Sequence, residues 1–504
     1  MHVLAGNRWY PAPFAVPGQG QGPRVPFGVA KKIGILIVAY NAASTLHQVL
    51  DRIPADVGAR VSDVLVCDDS SQDATYLVGL GYQSQSDLPI TLIRQPRNLG
   101  YGGNQKSGYR WAIDHGLDIV VLLHGDGQYA PEVIDDLIAP LEADRCDAVF
   151  GSRMLTPGAA RAGGMPLYKY VGNRILTRFE NAVAGMDLSE WHSGYRAYKV
   201  SALDEIPFET NSDGFNFDTE IILQLHEAGR TIAEVPIPTY YGDEICYVDG
   251  VGYARDVARD VTRYRLHKMG FGTGDMAFAT DDYELKLTDS SSHGQLLAWL
   301  GDRRPSRILD LGCAGGRLGE LLRLSGHTVV GVDAVKVDGV ADRLDDFYEA
   351  DLDRGIPTEV GGDFDVIVAA DVLEHVREPQ AILTEARDRL APGGVIAVSV
   401  PNFAHWYPRL RVLSGRFDYD RRGILDAGHV RFFTRASFER LVARSGLRVR
   451  RRSTTGLPVE VAERGGAADS PAPAESVVAR VDRLAVALWP TLFGYQFLYE
   501  LEPI

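Results

Sequence analysis

The chain has few cysteines, no long apolar run and no excess of positive charge, and each lack removes a class of protein. Its four cysteines, Cys67, Cys146, Cys246 and Cys313, lie far apart and form no CxxC pair. That spacing excludes a disulfide framework and a cysteine zinc site, and it points to reduced core thiols in a cytosolic protein. No stretch approaches the roughly 18 apolar residues that cross a bilayer. With 52 Lys and Arg against 67 Asp and Glu the formal net charge is -15, which argues against nucleic acid as a partner. Residues 1–30 repeat Pro and Gly (PAPFAVPGQGQGPRVPFG) without the apolar centre of a signal peptide. They read as a flexible arm.

What remains is ordinary globular composition, 45% hydrophobic and 24% charged. At 504 residues the chain exceeds one core, so two domains are expected. In the first half, apolar runs alternate with helical stretches. Lys32–Tyr40, Asp63–Asp69, Ile90–Gln95, Ile119–Leu123 and Asp147–Arg153 read as strands. Ile119–Leu123 is wholly apolar and is cut off by His124-Gly125-Asp126, as in a strand buried on both faces. The Gly-rich Asn98–Gly108 opens a helix to about His115. This rhythm predicts a parallel, doubly wound α/β sheet. Polar residues gather where the strands end: Tyr40-Asn41, Asp68-Asp69, His124 with Asp126, and Ser152-Arg153. An Asp after a strand is by itself most often a helix cap or turn former. Four such ends together indicate a shared site, because ligands of open α/β sheets bind beyond the carboxyl ends of strands.

These motifs (IVAYN, VCDDSSQDAT, RNLGYGGNQKSG, HGDGQY and GSR, then SGYRAY, FDTEI and EVPIPTYYGDE) resemble the family-2 glycosyltransferases of the GT-A fold, close to the dolichyl-phosphate-mannose-synthase-like branch. The resemblance covers about residues 32–245. It implies a nucleotide-sugar site of Ala39, Tyr40, Asn41, Asp68, Asp69, Gly103, Asp126 and Gln128, with Tyr40 and Asp68 or Asp69 on the base and ribose. It implies Mg²⁺ or Mn²⁺ on Asp126, against the departing diphosphate, and Arg153 and Arg196 as phosphate or acceptor contacts, Arg153 also catalytic. Two positions depart from the family. His124 stands where Asp is usual; residues two apart on a strand share a side, so His124 is a second candidate metal ligand. Ala42 replaces the usual acid after Tyr-Asn. Helix Gly252–Lys268, with arginines at 255, 259 and 263, is either an ordinary packed helix or a basic amphipathic one resting on anionic lipid.

Gly270–Ser292, rich in Gly, Asp, Ser and Thr, reads as the junction. The α/β rhythm then restarts. Arg307–Gly312 is a strand, CAGG a turn, Leu318–Ser325 a helix and Thr328–Val332 a strand ending in Asp333. That acid follows Gly312 by 21 residues, the spacing at which a second-strand carboxylate meets a ribose. The motifs LDLGCAGG, VVGVD, ADL, FDVIVAADVLEHV, LAPGGVIAVSVPN and HVRFFT resemble the class I S-adenosylmethionine-dependent methyltransferases. The resemblance implies that Asp310, Gly312 and Gly316 line the methionine end, that Asp333 takes the ribose and Asp351 the adenine amine, and that Asp371 lies near the donor. Ala314 replaces a usual glycine, which is tolerable where φ is negative. His375, His405 and His429 are candidate bases, with His375 and His429 preferred. Asp371, Glu374 and His375 also echo the spacing of a metal site in ubiquinone-pathway O-methyltransferases. Pro401–Thr434 is a long aromatic and basic insertion, whose Arg409, Arg411, Arg416 and Arg431 are candidates for a phosphate or acidic sugar. Val477–Trp489 reads as a helix and Phe493–Leu501 as a last strand.

The expected architecture is an arm (1–30), a glycosyltransferase domain (31–270), a linker (271–292) and a methyltransferase domain (293–504). The expected activity is bifunctional: inverting, metal-dependent transfer of a sugar to a polyprenyl phosphate or glycan, and methylation of a glycan or related product, most simply on oxygen. The competing expectation is a methyltransferase carrying a non-catalytic sugar-binding module. Either reading suits a cytoplasmic protein working at the inner face of a membrane.

Overall fold

The structure, a computed structural model, describes residues 31–240, 249–269, 271–272, 291–301, 303–420, 422–458 and 477–504. The arm, most of the linker and Cys246 lie outside the described residues.

The first half forms one seven-stranded sheet of β1 (Ile33–Ala39), β2 (Asp63–Asp68), β3 (Ile90–Arg94), β4 (Ile119–His124), β5 (Ala148–Ser152), β6 (Arg196–Lys199) and β7 (Ile232–Pro236), in the order β3-β2-β1-β4-β6-β5-β7. Ile119–Leu123 of β4 are at most 1% exposed, as a strand covered on both faces must be. Ile119, Val121 and Leu123 pack into one apolar layer and Val120 and Leu122 into the other, following the two-residue period. The sheet is not wholly parallel: β6 runs antiparallel to both β4 and β5. Residues 153–195 leave β5 at its carboxyl end, and the chain re-enters the sheet from that same end, so β6 has to run backwards.

The second half forms another seven-stranded sheet of β8 (Arg307–Leu311), β9 (Thr328–Asp333), β10 (Asp346–Glu349), β11 (Phe364–Ala370), β12 (Leu390–Pro401), β13 (Leu447–Thr455) and β14 (Gln496–Pro503), in the order β10-β9-β8-β11-β12-β14-β13. β14 is antiparallel to β12 and β13. The last strand thus starts at Gln496 rather than Phe493, because Pro490–Phe493 is helical.

Helix Gly250–Lys268 buries Val257, Val261 and Tyr264, so its apolar side is spent on the core and the packed-helix reading holds. Phe271, at the start of the expected linker, is 3% exposed and packs with Ile424 and Tyr495. Among the described residues no helix is long and apolar enough to cross a membrane.

Candidate active sites

Strands β1, β2 and β4 end level with one another. Ala39 pairs with Asp68 and Val38 with His124, which brings Tyr40, Asn41, Asp68, Asp69, His124 and Asp126 to one end of the sheet. Asp126 is exposed there, and its Oδ1 accepts the Gln128 backbone N–H at 3.0 Å. Gly127, at φ 78°, makes the turn. A lone strand-end carboxylate suits a hard cation that draws its other oxygens from a diphosphate and water.

His124 is held otherwise than expected. Its Nε2 lies 3.3 Å from the Tyr101 hydroxyl, and that hydroxyl donates to Asp218 at 2.9 Å. Nε2 is therefore the donor, and a cation could meet this ring through Nδ1 alone. Burial pushes the imidazole pKa down, against the pull of Asp126 and Asp218, so the ring is neutral. Gly194 is required beside it, since an added Cβ would come within 2.7 Å of Nε2.

The other acids divide their labour. Both Asp69 oxygens accept backbone N–H groups, from Leu99 at 2.7 Å and Gly100 at 3.0 Å, at the start of helix Gly100–Asp114. Asp68 accepts the Ser71 N–H through Oδ1, while Oδ2 lies 3.4 Å from Arg94 Nε without a hydrogen bond. Of the two, Asp68 keeps an unused acceptor, though its side chain is fully buried. Asn41 is a turn residue at φ 50°, its side chain accepting from Gln72 N–H. Tyr40 is 39% exposed. Gly103 is a packing glycine: an added Cβ would sit 2.9 Å from Leu99 and 3.2 Å from Asp213. The Gly-rich run lets this helix approach the 211–217 loop closely, since a Cβ on Gly102 would strike the Ser212 carbonyl at 2.5 Å.

Arg196, expected on the acceptor, is 1% exposed and donates to the carbonyls of Ser193, Trp191 and Asp218. It braces the site from within. Arg153 is 7% exposed and clamps Glu190, whose Oε2 accepts its N–H at 2.7 Å and whose Oε1 accepts its Nε at 2.9 Å. Burial alone would raise the Glu190 carboxyl, but the Arg153 charge and hydrogen bonds hold it below the usual range.

In the second half, Gly312 (φ 68°) and Gly316 (φ 72°) turn the chain after β8. A Cβ on Gly312 would meet Val372 at 2.6 Å. Ala314 stands at φ 46°, not at the negative φ expected. The Asp333 Oδ2, which accepts the Ala314 N–H at 2.8 Å, holds it there. A left-handed alanine costs ~1–2 kcal/mol. Ala314→Gly should therefore leave the fold intact and raise thermal stability by up to ~1 kcal/mol, read by denaturant unfolding. A loss of stability would contradict this.

Asp310 is 2% exposed, with Oδ2 unpaired. Burial, and the Asp333 carboxylate nearby, push its pKa up to about 7. Asp351 is exposed and caps its own turn through the Asp353 N–H. Asp371, at φ 55°, accepts from Ser399 Oγ at 2.5 Å and from Gln496 Nε2 at 2.9 Å.

Val372–Val376 is a turn, and the next helix starts at Pro379. The turn sends Glu374 inward, 1% exposed with both oxygens unpaired. Burial, Asp371 and Asp426 push its pKa well up. His375 Nδ1 lies 3.0 Å from the Gly428 carbonyl and His429 Nδ1 3.2 Å from the Ile424 carbonyl. A carbonyl can only accept, so each Nδ1 carries the proton and each Nε2 keeps its lone pair. One ligand atom from each of Glu374, His375 and His429 lies within 4.8 Å of the others. Two imidazoles oriented by carbonyls, with one carboxylate, form a donor set that fits a divalent transition metal. Asp371, from the expected triplet, is not in this group. His405 is fully buried and caps helix Trp406–Leu413, which removes it as a base. In the insertion, Arg411 is spent on Asp420 and Tyr407, Arg409 on the Ala404 carbonyl and Arg431 on the Arg377 carbonyl.

The residues that motif reading missed are Tyr101, Glu190, Asp218, Ser399 and Gln496. Each acts on a partner far along the chain, as Gln496 does on Asp371 across 125 positions, and no local pattern marks such a pair.

Two α/β sheets, each with acids and glycines at the carboxyl ends of its strands, define a protein with two separate candidate sites. A family model for glycosyl transferase family 2 matches residues 34–206, and one for a methyltransferase domain matches residues 290–451. An undecaprenyl-phosphate mannosyltransferase of Micrococcus luteus is 30% identical over 204 residues, 40% of this chain and 81% of that protein. A UDP-N-acetylglucosamine–dolichyl-phosphate N-acetylglucosaminyltransferase of Methanococcus voltae is 28% identical over 42% of this chain and 86% of its own length. A ubiquinone biosynthesis O-methyltransferase of Dinoroseobacter shibae is 36% identical over 104 residues, 19% of this chain and 41% of that protein. The chain belongs to glycosyltransferase family 2 through its first half, with a GT-A-like sheet, and carries a methyltransferase domain in its second.

Proposed function

We propose that the protein transfers a sugar from a nucleotide-sugar donor to a polyprenyl-phosphate or glycan acceptor, with inversion, and methylates a glycan or related product on oxygen with S-adenosylmethionine. The reading rests most on one observation: two separate sheets each carry their own set of strand-end acids and turns. In the first site Asp126 would hold Mg²⁺ or Mn²⁺, Tyr40 and Asp68 the base and ribose, and Arg153 the acceptor phosphate. The bound cation would offset charge on the departing diphosphate. A phosphate acceptor is already ionised and needs no strong base; a hydroxyl does.

In the second site Asp310, Gly312 and Gly316 would line the methionine end of the donor, Asp333 its ribose and Asp351 its adenine. Glu374, His375 and His429 would hold a divalent cation at the acceptor end, where it would lower the pKa of a hydroxyl. Without it, the free Nε2 of His375 or His429 would take the proton.

The test follows methyl label from S-adenosylmethionine in a reaction that also contains donor and acceptor. Label should appear on the glycosylated product, fall after chelation and return with added Mn²⁺. Manganese should also raise the melting temperature of the parent protein more than that of His429→Ala, in which the Asp126 site is intact. Label on an unglycosylated small molecule alone would refute the coupling of the two activities.

A further inference from the structure

Helix Leu167–Ala184 turns the usual amphipathic arrangement outward. Thr177, Glu180 and Ala184 are buried, while Leu167, Tyr168, Val171, Ile175 and Phe179 are exposed, Tyr168 at 74% and Ile175 at 64%. Positions 168, 171, 175 and 179 recur every three or four residues and so share one face. A surface helix ordinarily points such a stripe at the core.

Its charge is equally one-sided. Residues 159–184 contain Arg161, Lys169, Arg174 and Arg178, and their one carboxylate, Glu180, is buried 3.0 Å from His192. In a chain of net charge -15, this helix sets exposed Arg174 and Arg178 beside its apolar stripe. The inward side of the helix reaches the first site. Asn173 Nδ2 donates at 2.8 Å to Glu190 Oε1, the carboxylate that holds Arg153.

We propose that this helix lies on an anionic lipid bilayer, with its apolar stripe in the boundary between headgroups and acyl chains and its cations among lipid phosphates. The proposal rests on the lipid-phosphate reading of the acceptor, which it deepens: the acceptor headgroup is then presented from the side on which Arg153 is held. Pairing with a second copy would also cover the stripe, but it would set the cations of one helix against those of the other. The helix Gly250–Lys268 cannot serve instead, because its apolar side is buried.

The test is flotation of the full chain with phosphatidylcholine vesicles, with and without phosphatidylglycerol, at low and high salt. The parent protein should float with the anionic vesicles, and less so as salt rises. Ile175→Glu should lower the bound fraction about tenfold, since an apolar anchor is replaced by a charge. Arg174→Glu with Arg178→Glu should abolish the preference for anionic vesicles. Both changes lie outside the acid and arginine clusters of the site, so hydrolysis of the donor, which needs no lipid, should persist in each. Three outcomes would overturn the proposal: no binding of the parent chain, equal binding of Ile175→Glu, or a dimer that Ile175→Glu splits. Intact vesicle binding without transfer to any lipid phosphate would refute the acceptor reading alone.

Discussion

Asp126→Asn should lower sugar transfer and donor hydrolysis by about 10²–10³-fold while leaving the fold untouched, the order seen when one charge-stabilising group is removed from an active site. The structural reason for clean separation is local. Asp126 is exposed, and its Oδ1 serves one backbone N–H, that of Gln128. The Asn carbonyl can accept that same bond, so stability should change by less than ~0.5 kcal/mol. The variant loses the negative charge that a cation on a diphosphate requires. Kinetics over a range of Mn²⁺ concentrations read the effect. Full activity in the variant would mean that the diphosphate is neutralised without Asp126. A parent protein inert with every nucleotide sugar and metal would favour a first domain that binds without turning over. That outcome would give weight to His124, whose Nε2 is tied to Tyr101, and to Ala42.

Asp310→Asn should stabilise the ligand-free protein, and increasingly so as pH rises. The parent carboxyl moves from its ordinary 3.8 to about 7 in the folded state, a rise worth ~4 kcal/mol. A raised carboxyl holds its proton more tightly folded than unfolded. Its favourable contribution is therefore complete below about pH 4 and is lost as pH climbs through about 7. The variant has no such proton to lose. The difference in unfolding free energy between variant and parent should thus grow by ~2–3 kcal/mol from about pH 5 to about pH 8. S-adenosylhomocysteine should reduce that difference, because its ammonium would supply the counter-charge that the buried Asp310 carboxylate lacks, and it should bind the variant more weakly. A difference that stays flat with pH would show that the Asp310 carboxyl is solvated or paired in solution.

Much of the architecture could be read from local pattern. The wholly apolar Ile119–Leu123 could only be a doubly covered strand, and the glycines of LDLGCAGG could only be a turn. The antiparallel β6 and β14 were not readable, since strand direction depends on which end of the sheet the chain re-enters. The Gly-rich Asn98–Gly108 opens a helix as its pattern indicates, but its close neighbours were not readable. Gly102 and Gly103 make room for the 211–217 loop, which lies more than a hundred residues along the chain. Ala314 was misjudged because the sign of its φ follows from the bond to Asp333, which lies on another strand.

The strand-end cluster around Asp126 and the turn from Asp310 to Gly316 follow from the order of residues alone, because hydrophobic period, strand length and turn chemistry act over a few residues. Which polar groups remain able to do chemistry is a tertiary matter. Asp69 is consumed by the Leu99 and Gly100 N–H groups, and Arg196 by three carbonyls. Glu374 meets His429 only because one turn faces another loop. A hydrogen-bonding group has a fixed number of partners, and folding decides from distant parts of the chain which of them are already taken.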